Sequence, residues 1–152
     1  MTLQQESPDQ PDVRELIAAL DQYLQDLYPV ESNHLLDVER LLHSDIRFVV
    51  ARQNGVALGC AALRIDAEGY GEVKRLFVTP DARGVRLGER LVIELERIAR
   101  DESLQCLRLE TGIHQHEALA VFRKLGFSER ALFGEYRMDR LGRFMEKQLA
   151  VS

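Results

Sequence analysis

The sequence predicts a mixed α/β fold whose sheet is mostly antiparallel and is flanked by helices. Three observations favour this fold class. Apolar residues repeat at helical spacing near the N-terminus, three strand patterns joined by turn signals follow, and helix and strand patterns alternate from residue 87 onward. A strand, a helix and another strand in that order imply at least one parallel pair, so the sheet is expected to be mixed.

The N-terminal third predicts one weak edge strand and two helices. Residues 2–7 have the pattern of a short strand. Apolar residues recur at helical spacing over 13–27, and Pro29 indicates that this helix ends near Tyr28. Apolar residues between 35 and 42 indicate a second, shorter helix.

Three strands connected by tight turns are predicted next, and together they form an antiparallel meander. Their ranges are residues 46–51, 56–65 and 73–79. Asn54 and Gly55 are a strong signal for a two-residue hairpin turn. Residues 66–69 form the second turn, and Pro80 ends the third strand.

The C-terminal half predicts two helices, one strand between them and one or two closing strands. Leu87, Leu91, Leu95 and Ile98 share one face of the first helix. The other elements are a strand at 104–109, a helix at 118–125 that ends at Gly126, and closing strands within 128–149, with 144–149 the better candidate.

The composition fits one globular domain over residues 1–152 and excludes several classes of protein. A chain of 152 residues buries enough surface to fold without disulfides or metals. The net charge of −5 argues against a nucleic-acid-binding protein, and no apolar run approaches the ~20 residues of a membrane span. Residues 1–7 lack the pattern of a signal peptide, so a cytoplasmic location is expected.

The cysteines and histidines give no signal for a redox or metal site. Cys60 and Cys106 each lie in an apolar run, which predicts two buried thiols. His114 and His116 could bind a metal as a pair, but the sequence offers no third ligand nearby, so no metal is expected.

The segment between the third strand and the next helix has the features of a phosphate-binding site. Its residues are Arg83, Gly84, Val85, Arg86, Leu87, Gly88 and Glu89. The N-terminus of a helix offers free backbone N–H groups, and glycine lets a ligand approach the backbone closely. The two arginines would add charged hydrogen bonds to phosphate oxygens.

Residues 83–88 resemble motif A of the GNAT superfamily, usually written Q/R-x-x-G-x-G/A. The first and last positions fit, and the fourth carries Arg86 where the family usually has Gly. Residues 111–127 resemble motif B, with Gln115 at a position where the family often has Asn and with Gly-Phe ending the helix. The resemblance extends from about residue 46 to the C-terminus.

The resemblance implies that the sheet splays between the third strand and the strand at 104–109, and that acetyl-CoA binds in the gap as a co-substrate. The backbone at Phe77 and Val78 is expected to hold the pantetheine arm as a neighbouring strand would. The expected cofactor contacts are Phe77, Val78, Arg83, Gly84, Val85, Arg86, Leu87, Gly88, Glu89, Gln115 and Phe122.

Transfer to an amine needs a base, because a protonated amine has no lone pair to attack with. Glu72 is the first candidate, since several GNAT enzymes carry a catalytic glutamate at the matching position; alternatively, it is an exposed carboxylate at a strand end. Glu110 is the second candidate, because it follows an apolar strand where the gap should open; alternatively, it accepts hydrogen bonds from loop N–H groups.

Many relatives have a tyrosine that acts as the general acid at the position of Phe122 in this chain. Phenylalanine has no proton to donate, so either Tyr136 or a water molecule is the acid, or the reaction proceeds without one.

Together these residues predict an N-acetyltransferase that moves an acetyl group from acetyl-CoA to a primary amine of a small molecule or peptide by direct attack. Phe122 leaves a second interpretation open, a non-catalytic acyl-CoA-binding regulatory module. No nucleic-acid or membrane partner is expected. Dimers are common in the family, so a homodimer is one of the expected assemblies.

Overall fold

A computed structural model describes residues 1–28, 37–82, 86–131, 133–134, 136 and 141–149. Its strands are β1 (Thr2–Gln5), β2 (Ile46–Gln53), β3 (Val56–Ile65), β4 (Tyr70–Val78), β5 (Cys106–Gly112), β6 (Ser128–Arg130) and β7 (Gly142–Gln148). Its α-helices are α1 (Pro11–Leu27), α2 (Val38–Leu41), α3 (Leu87–Asp101) and α4 (His116–Lys124). Within these residues, seven strands form one sheet in the order β1-β2-β3-β4-β5-β7-β6.

The sheet confirms the predicted mixed topology. Strands β1 to β4 form an antiparallel series, β4 pairs with β5 in parallel, and β7 pairs antiparallel with both β5 and β6. The predicted weak strand at 2–7 is present as β1, and it lies at an edge of the sheet. Asn54 and Gly55 both have positive φ, at 53° and 81°, as a two-residue turn between antiparallel strands requires.

The N-terminal helices differ in length as predicted. α1 has a proline in its first turn and ends at Leu27, one residue before Tyr28. The second predicted helix is present over Val38–Leu41, where the Asp37 side chain accepts a hydrogen bond from the backbone N–H of Arg40 at 2.8 Å. Residues 35 and 36 of that prediction lie outside the described residues.

Two apolar layers cover the two faces of the sheet. On one face, the buried side of α3 and the residues Leu119 and Phe122 of α4 pack against β3, β4 and β5. On the other face, α1 packs its buried leucines against β2 and β3. Cys60 and Cys106 are both buried, as predicted, and burial raises the pKa of the Cys60 thiol to about 12.

Several boundaries differ from the sequence prediction, and two of these differences affect the site. β4 begins at Tyr70 rather than at Val73, so Glu72 lies inside the strand. β5 continues to Gly112, which carries Glu110 within the strand rather than after it. Both closing strands exist, but the longer one begins at Gly142 instead of 144. In the described ranges, no helix has the length and apolarity that a bilayer crossing requires.

Candidate active site

The central feature of the sheet is a gap between two parallel strands. Among the described pairs of β4 and β5, the last is Val73 with Leu109. β4 continues for five further residues and β5 for three, up to Val78 and Gly112. The predicted splay is therefore present, and it leaves one edge of each strand facing an opening.

A β-bulge in β4 lies immediately beyond the last pair. Ala61 of β3 faces both Arg75 and Leu76, because the register shifts between Cys60 and Ala62. Arg75 has a φ of 55°, in the left-handed region that few non-glycine residues adopt. A bulge bends its strand and increases the local twist, so this extra residue accounts for the departure of β4 from β5.

Among the described contacts of Arg75, two help to hold it in its left-handed conformation. The Cys60 thiol donates a hydrogen bond to the Arg75 carbonyl at 3.4 Å. The Arg75 guanidinium is 3% exposed and forms an ion pair with Asp21 of α1. The bulge is therefore fixed from the neighbouring strand and from the helix that covers it.

A cavity of about 110 Å³ occupies the gap. Its wall combines α1, β4, β5, α4 and the segment before β7. The wall residues that bear on function are Leu20, Leu24, Tyr28, Lys74, Arg75, Leu76, Glu110, Thr111, Gln115, Phe122, Tyr136 and Leu141. Elements from both faces of the sheet thus meet at one opening.

Tyr28 closes the cavity on the side of α1. Its hydroxyl accepts a hydrogen bond from the backbone N–H of His114 at 2.9 Å, and its ring stacks on the His114 imidazole with centroids 5.5 Å apart. Burial raises the pKa of the Tyr28 phenol. The Tyr28 ring also lies over Gly112, where a Cβ atom would overlap it.

Glu72 is the most enclosed polar group near the gap. It is 2% exposed, so its interpretation as an exposed strand-end carboxylate is wrong. Arg64 of β3 donates to Glu72 Oε1 from Nε at 3.2 Å and from Nη2 at 3.1 Å. Tyr136 donates a hydrogen bond to Oε2, and Lys74 Nζ lies 3.2 Å from the same oxygen.

Lys74 and Tyr136 separate Glu72 from the cavity. Both form part of the wall that the described residues build, whereas Glu72 does not. Lys74 Nζ donates a hydrogen bond to the Tyr136 hydroxyl. Burial lowers the pKa of Lys74 although Glu72 opposes the change, and burial together with Glu72 strongly raises the pKa of Tyr136. Tyr136 is therefore a neutral phenol at physiological pH.

Glu110 lies where the sequence predicted, at the opening of the gap. It belongs to the part of β5 beyond the last pair with β4, and its half-buried side chain forms part of the cavity wall. In register with Glu110 on β7 is Phe144, so the carboxylate has an aromatic neighbour on one side. Its catalytic role stays a prediction.

The start of α3 has the geometry of a ligand-binding turn in its described part. Arg86 precedes the helix with φ 57° and ψ 31°, a left-handed conformation that the usual glycine of the motif adopts most readily. A Cβ atom added to Gly88 would meet only the Val78 side chain, at 3.8 Å. Leu87 points its side chain into the core. The Glu89 carboxylate forms an ion pair with Lys124 of α4 at 3.1 Å. Arg83, Gly84 and Val85 lie outside the described residues.

The backbone of β4 beyond the bulge distinguishes the two predicted pantetheine contacts. The N–H of Thr79 donates to Leu58 of β3, so the backbone groups of Val78 point the opposite way, to the gap. Phe77 directs its backbone to β3 and its side chain into the core beneath α1. Leu76 shares the orientation of Val78 and forms part of the cavity wall. The sequence prediction missed Leu76.

Gln115 and Phe122, two of the predicted cofactor contacts, both form part of the cavity wall. The Gln115 carboxamide oxygen accepts a hydrogen bond from the backbone N–H of Gly112 at 2.8 Å, which joins the end of β5 to the start of α4. Phe122 packs edge-to-face on Phe127 with centroids 5.4 Å apart. In the part of the chain that the structure describes, no three His, Cys, Asp or Glu side chains are grouped to hold a metal.

Sequence reasoning missed Lys74 as a site residue and did not connect Tyr136 to Glu72. The first could have been found, because residues two apart on a strand share a face and Lys74 is two residues from Glu72. The second has no local signal, because 64 residues separate Tyr136 from Glu72.

Comparison with known proteins gives consistent matches over nearly the whole chain. Residues 13–127 match the model of the acetyltransferase (GNAT) family. An IAA acetyltransferase from Azospirillum brasilense is 53% identical over 150 residues, which cover 98% of each chain. A solved structure from Klebsiella pneumoniae, assigned to the acyl-CoA N-acyltransferases, has a TM-score of 0.83 and 37% identity over 98% of this chain and 97% of its own.

A more distant structure shares the fold. The PaiA N-acetyltransferase from Thermoplasma acidophilum, solved in complex with coenzyme A, has a TM-score of 0.73 and 21% identity. The match covers 98% of this chain and all of the other.

Proposed function

The chain belongs to the GNAT family of acetyltransferases, and from this membership we propose that it transfers an acetyl group from acetyl-CoA to a primary amine of a small molecule or peptide. The amine attacks the thioester directly. The observation that carries the proposal is the position of the cavity, which occupies the gap that opens beyond Val73 and Leu109.

The gap suits a long acyl carrier. Backbone groups of Leu76 and Val78 line one edge and can hydrogen-bond an extended pantetheine arm as a strand would. The start of α3 adds a helix N-terminus with Gly88, where a phosphate can approach the backbone because a side chain is missing. These two features lie on β4 and on the helix that follows it, so one extended ligand can contact both.

The polar groups of the cavity suit an amine acceptor. Glu110 provides a carboxylate in the wall, and Glu72 provides a second one behind Tyr136. A carboxylate attracts the ammonium form of the acceptor, and a proton acceptor must then release the lone pair that attacks the carbonyl carbon. These groups favour an enzyme over an acyl-CoA-binding regulatory module.

The test is a thiol-release assay with acetyl-CoA and a panel of acceptors. The panel contains small amines, amino acids, polyamines, peptides with free N-termini, and IAA, the compound in the name of the Azospirillum brasilense relative. We expect release of CoA with at least one amine, and a product that is heavier by one acetyl group in mass spectrometry. Acetyl-CoA binding without turnover on any acceptor would instead support the regulatory module.

A further inference from the structure

Building on the proposed N-acetyl transfer, we propose that Tyr136 is a catalytic residue that passes the proton of the acceptor ammonium to Glu72. Glu72 is then the final proton acceptor and does not itself touch the substrate. The inference follows from the order of the three groups, since the cavity meets Tyr136 and only behind it lies Glu72.

The position of Glu72 rules out direct contact with an acceptor in this arrangement. Its carboxylate is 2% exposed, and Arg64 occupies Oε1 while Tyr136 and Lys74 occupy Oε2. A proton from the cavity therefore reaches Oε2 through a group that already donates to it. Tyr136 and Lys74 both contact Oε2 and form part of the cavity wall. An ammonium group has no lone pair to accept a proton, whereas a phenol oxygen accepts one proton as it donates another, so Tyr136 is the group that can act as a relay.

The Tyr136 ring is held in a fixed orientation. Phe133 and Phe144 contact it edge-to-face, with centroids 5.4 Å and 5.6 Å away. Lys74 Nζ lies 4.9 Å from the ring centroid and donates to the hydroxyl, which fixes one lone pair of the phenol oxygen. A phenol oxygen accepts hydrogen bonds as well as donating one, so an acceptor ammonium in the cavity can hydrogen-bond it.

Charged residues on the two neighbouring strands and on β4 itself lie next to Glu72. Arg64 comes from β3 and Lys74 from β4, while Arg108 is in register with Glu72 on β5. Glu110 on β5 acts electrostatically on both Lys74 and Tyr136.

Proton transfer through Tyr136 precedes the attack on the thioester. An N–H bond of the acceptor ammonium breaks as its proton moves to the Tyr136 oxygen, while the original Tyr136 O–H bond breaks and its proton forms a bond to Glu72 Oε2. The amine lone pair then forms a C–N bond at the thioester carbon, and the C–S bond breaks with its electron pair on sulfur. A second N–H proton neutralises the thiolate, and the proton on Glu72 returns through Tyr136 to solvent.

Phe122 makes this assignment specific to the present chain. The α4 side of the cavity presents a phenyl ring without a hydroxyl, so that helix cannot contribute a phenol proton relay. The Tyr28 hydroxyl also lies in the wall, but it accepts a hydrogen bond from the backbone N–H of His114 and donates none to a carboxylate among the described residues. Tyr136 is the phenol that combines cavity access with a carboxylate partner.

The experiment compares Tyr136→Phe with Tyr70→Phe. Tyr70 is a matched control, since it is a buried tyrosine that accepts a hydrogen bond from Arg64 at 3.3 Å and contacts Phe133, yet lies outside the cavity wall formed by the described residues. With an acceptor that is an ammonium ion at pH 7, we expect Tyr136→Phe to lower kcat by about 100-fold or more. Tyr70→Phe should keep kcat within about 3-fold, and both variants should bind acetyl-CoA normally in calorimetry.

The choice of acceptor separates a proton relay from a structural role. With an acceptor that is already neutral at pH 7, such as hydroxylamine, the loss in Tyr136→Phe should largely disappear, because no proton needs to be removed before attack. With the ammonium acceptor, the variant should regain rate as the pH rises toward the pKa of that amine. Glu72→Gln should show the same two patterns, and it provides the test if Tyr136→Phe does not fold.

Failure of the Tyr136 relay and failure of the proposed function give different results. If the wild-type protein acetylates an amine and Tyr136→Phe is equally fast, or equally impaired with both acceptors, then this inference is wrong and the proposed function stands. If the wild-type protein acetylates no amine in the panel, the proposed function is wrong and the relay falls with it.

Discussion

Val73 pairs with Leu109, and beyond that pair β4 and β5 separate. Both side chains are buried in the apolar layer beneath α3, so the strands are held together by packing up to the point of separation. The bulge at Arg75 follows two residues later and turns β4 aside. A firmly packed sheet thus ends in an open pair of strand edges, which is where the cavity and its polar groups lie.

Gly88 should matter for the ligand and not for the fold. Its Cβ position faces only the Val78 side chain at 3.8 Å, so a larger side chain has room in the free protein. We expect Gly88→Val to raise the KM for acetyl-CoA by about 10-fold or more, because the side chain would lie where phosphate approaches the helix N-terminus. The KM from initial rates and the Kd from calorimetry measure the effect.

Gly88→Ala is the matched control for folding. Alanine in place of glycine within a helix is favourable by about 1 kcal/mol, so this variant should melt at the same temperature or higher. An unchanged KM in a fully folded Gly88→Val protein would show that the cofactor binds elsewhere.

Much of the fold follows from local patterns in the sequence. The apolar period of α1 and α3, the Asn54 and Gly55 turn, and the strand-helix-strand order each depend on residues close in sequence, and each prediction is confirmed. The bulge could not be predicted in this way. A left-handed Arg75 is maintained by Asp21 and Cys60, which are 54 and 15 residues away.

The candidate site could likewise be predicted only in part from the sequence. Glu72 and Glu110 could be selected because each lies on a strand next to the motif, and the register of β4 and β5 sets them on neighbouring strands. The burial of Glu72 could not be seen, since it depends on Arg64 from β3 and on Tyr136 from the segment before β7. For this reason the sequence left open the alternative that Glu72 is an exposed carboxylate at a strand end.

Gly112 is expected to tolerate no side chain while Tyr28 is present. A Cβ atom at this position would overlap the Tyr28 ring and hydroxyl, so Gly112→Ala must displace α1 or the ring. We expect a loss of about 1–3 kcal/mol in the free energy of unfolding, the usual cost of overpacking. Chemical denaturation gives the value.

A double-mutant cycle identifies the cause. In a Tyr28→Ala background the overlap is absent, so adding Gly112→Ala should cost less than about 0.5 kcal/mol. Equal costs in the two backgrounds would show that the glycine is required for its backbone and not for the space beneath Tyr28.

Asp21 should stabilise the fold through Arg75. The guanidinium of Arg75 is 3% exposed, so loss of the Asp21 carboxylate removes an ion-pair partner from a buried charge. We expect Asp21→Asn to lower the free energy of unfolding by about 2 kcal/mol. Asp26→Asn on the same helix is the control, because Asp26 is exposed and accepts only a surface hydrogen bond from Gln22 at 2.9 Å in the described contacts. Similar losses in both variants would argue against a special role for the Asp21 pair.

Glu6 should give the protein a measurable loss of stability in acid. Arg52 of β2 donates to the Glu6 carboxylate from Nε at 3.0 Å and from Nη2 at 3.0 Å, and these hydrogen bonds are the main reason that the pKa of Glu6 lies below its ordinary value of 4.5. The unfolded chain therefore takes up this proton at a higher pH than the folded protein does. The stabilisation is fully present above about pH 4.5 and is lost as the pH falls through the folded-state pKa.

The comparison of wild type with Glu6→Gln isolates this term. At pH 7 the variant should be less stable by about 1 kcal/mol, since the pair with Arg52 is only partly buried. The two unfolding curves should converge as the pH falls through the lowered folded-state pKa of Glu6, because the wild-type carboxyl is then neutral as well. Asp9→Asn, which removes the exposed pair with Arg14, should change stability by less than about 0.5 kcal/mol at either pH. A constant difference between wild type and Glu6→Gln from pH 7 to pH 3 would show that the ionisation of Glu6 is not the source of the stabilisation.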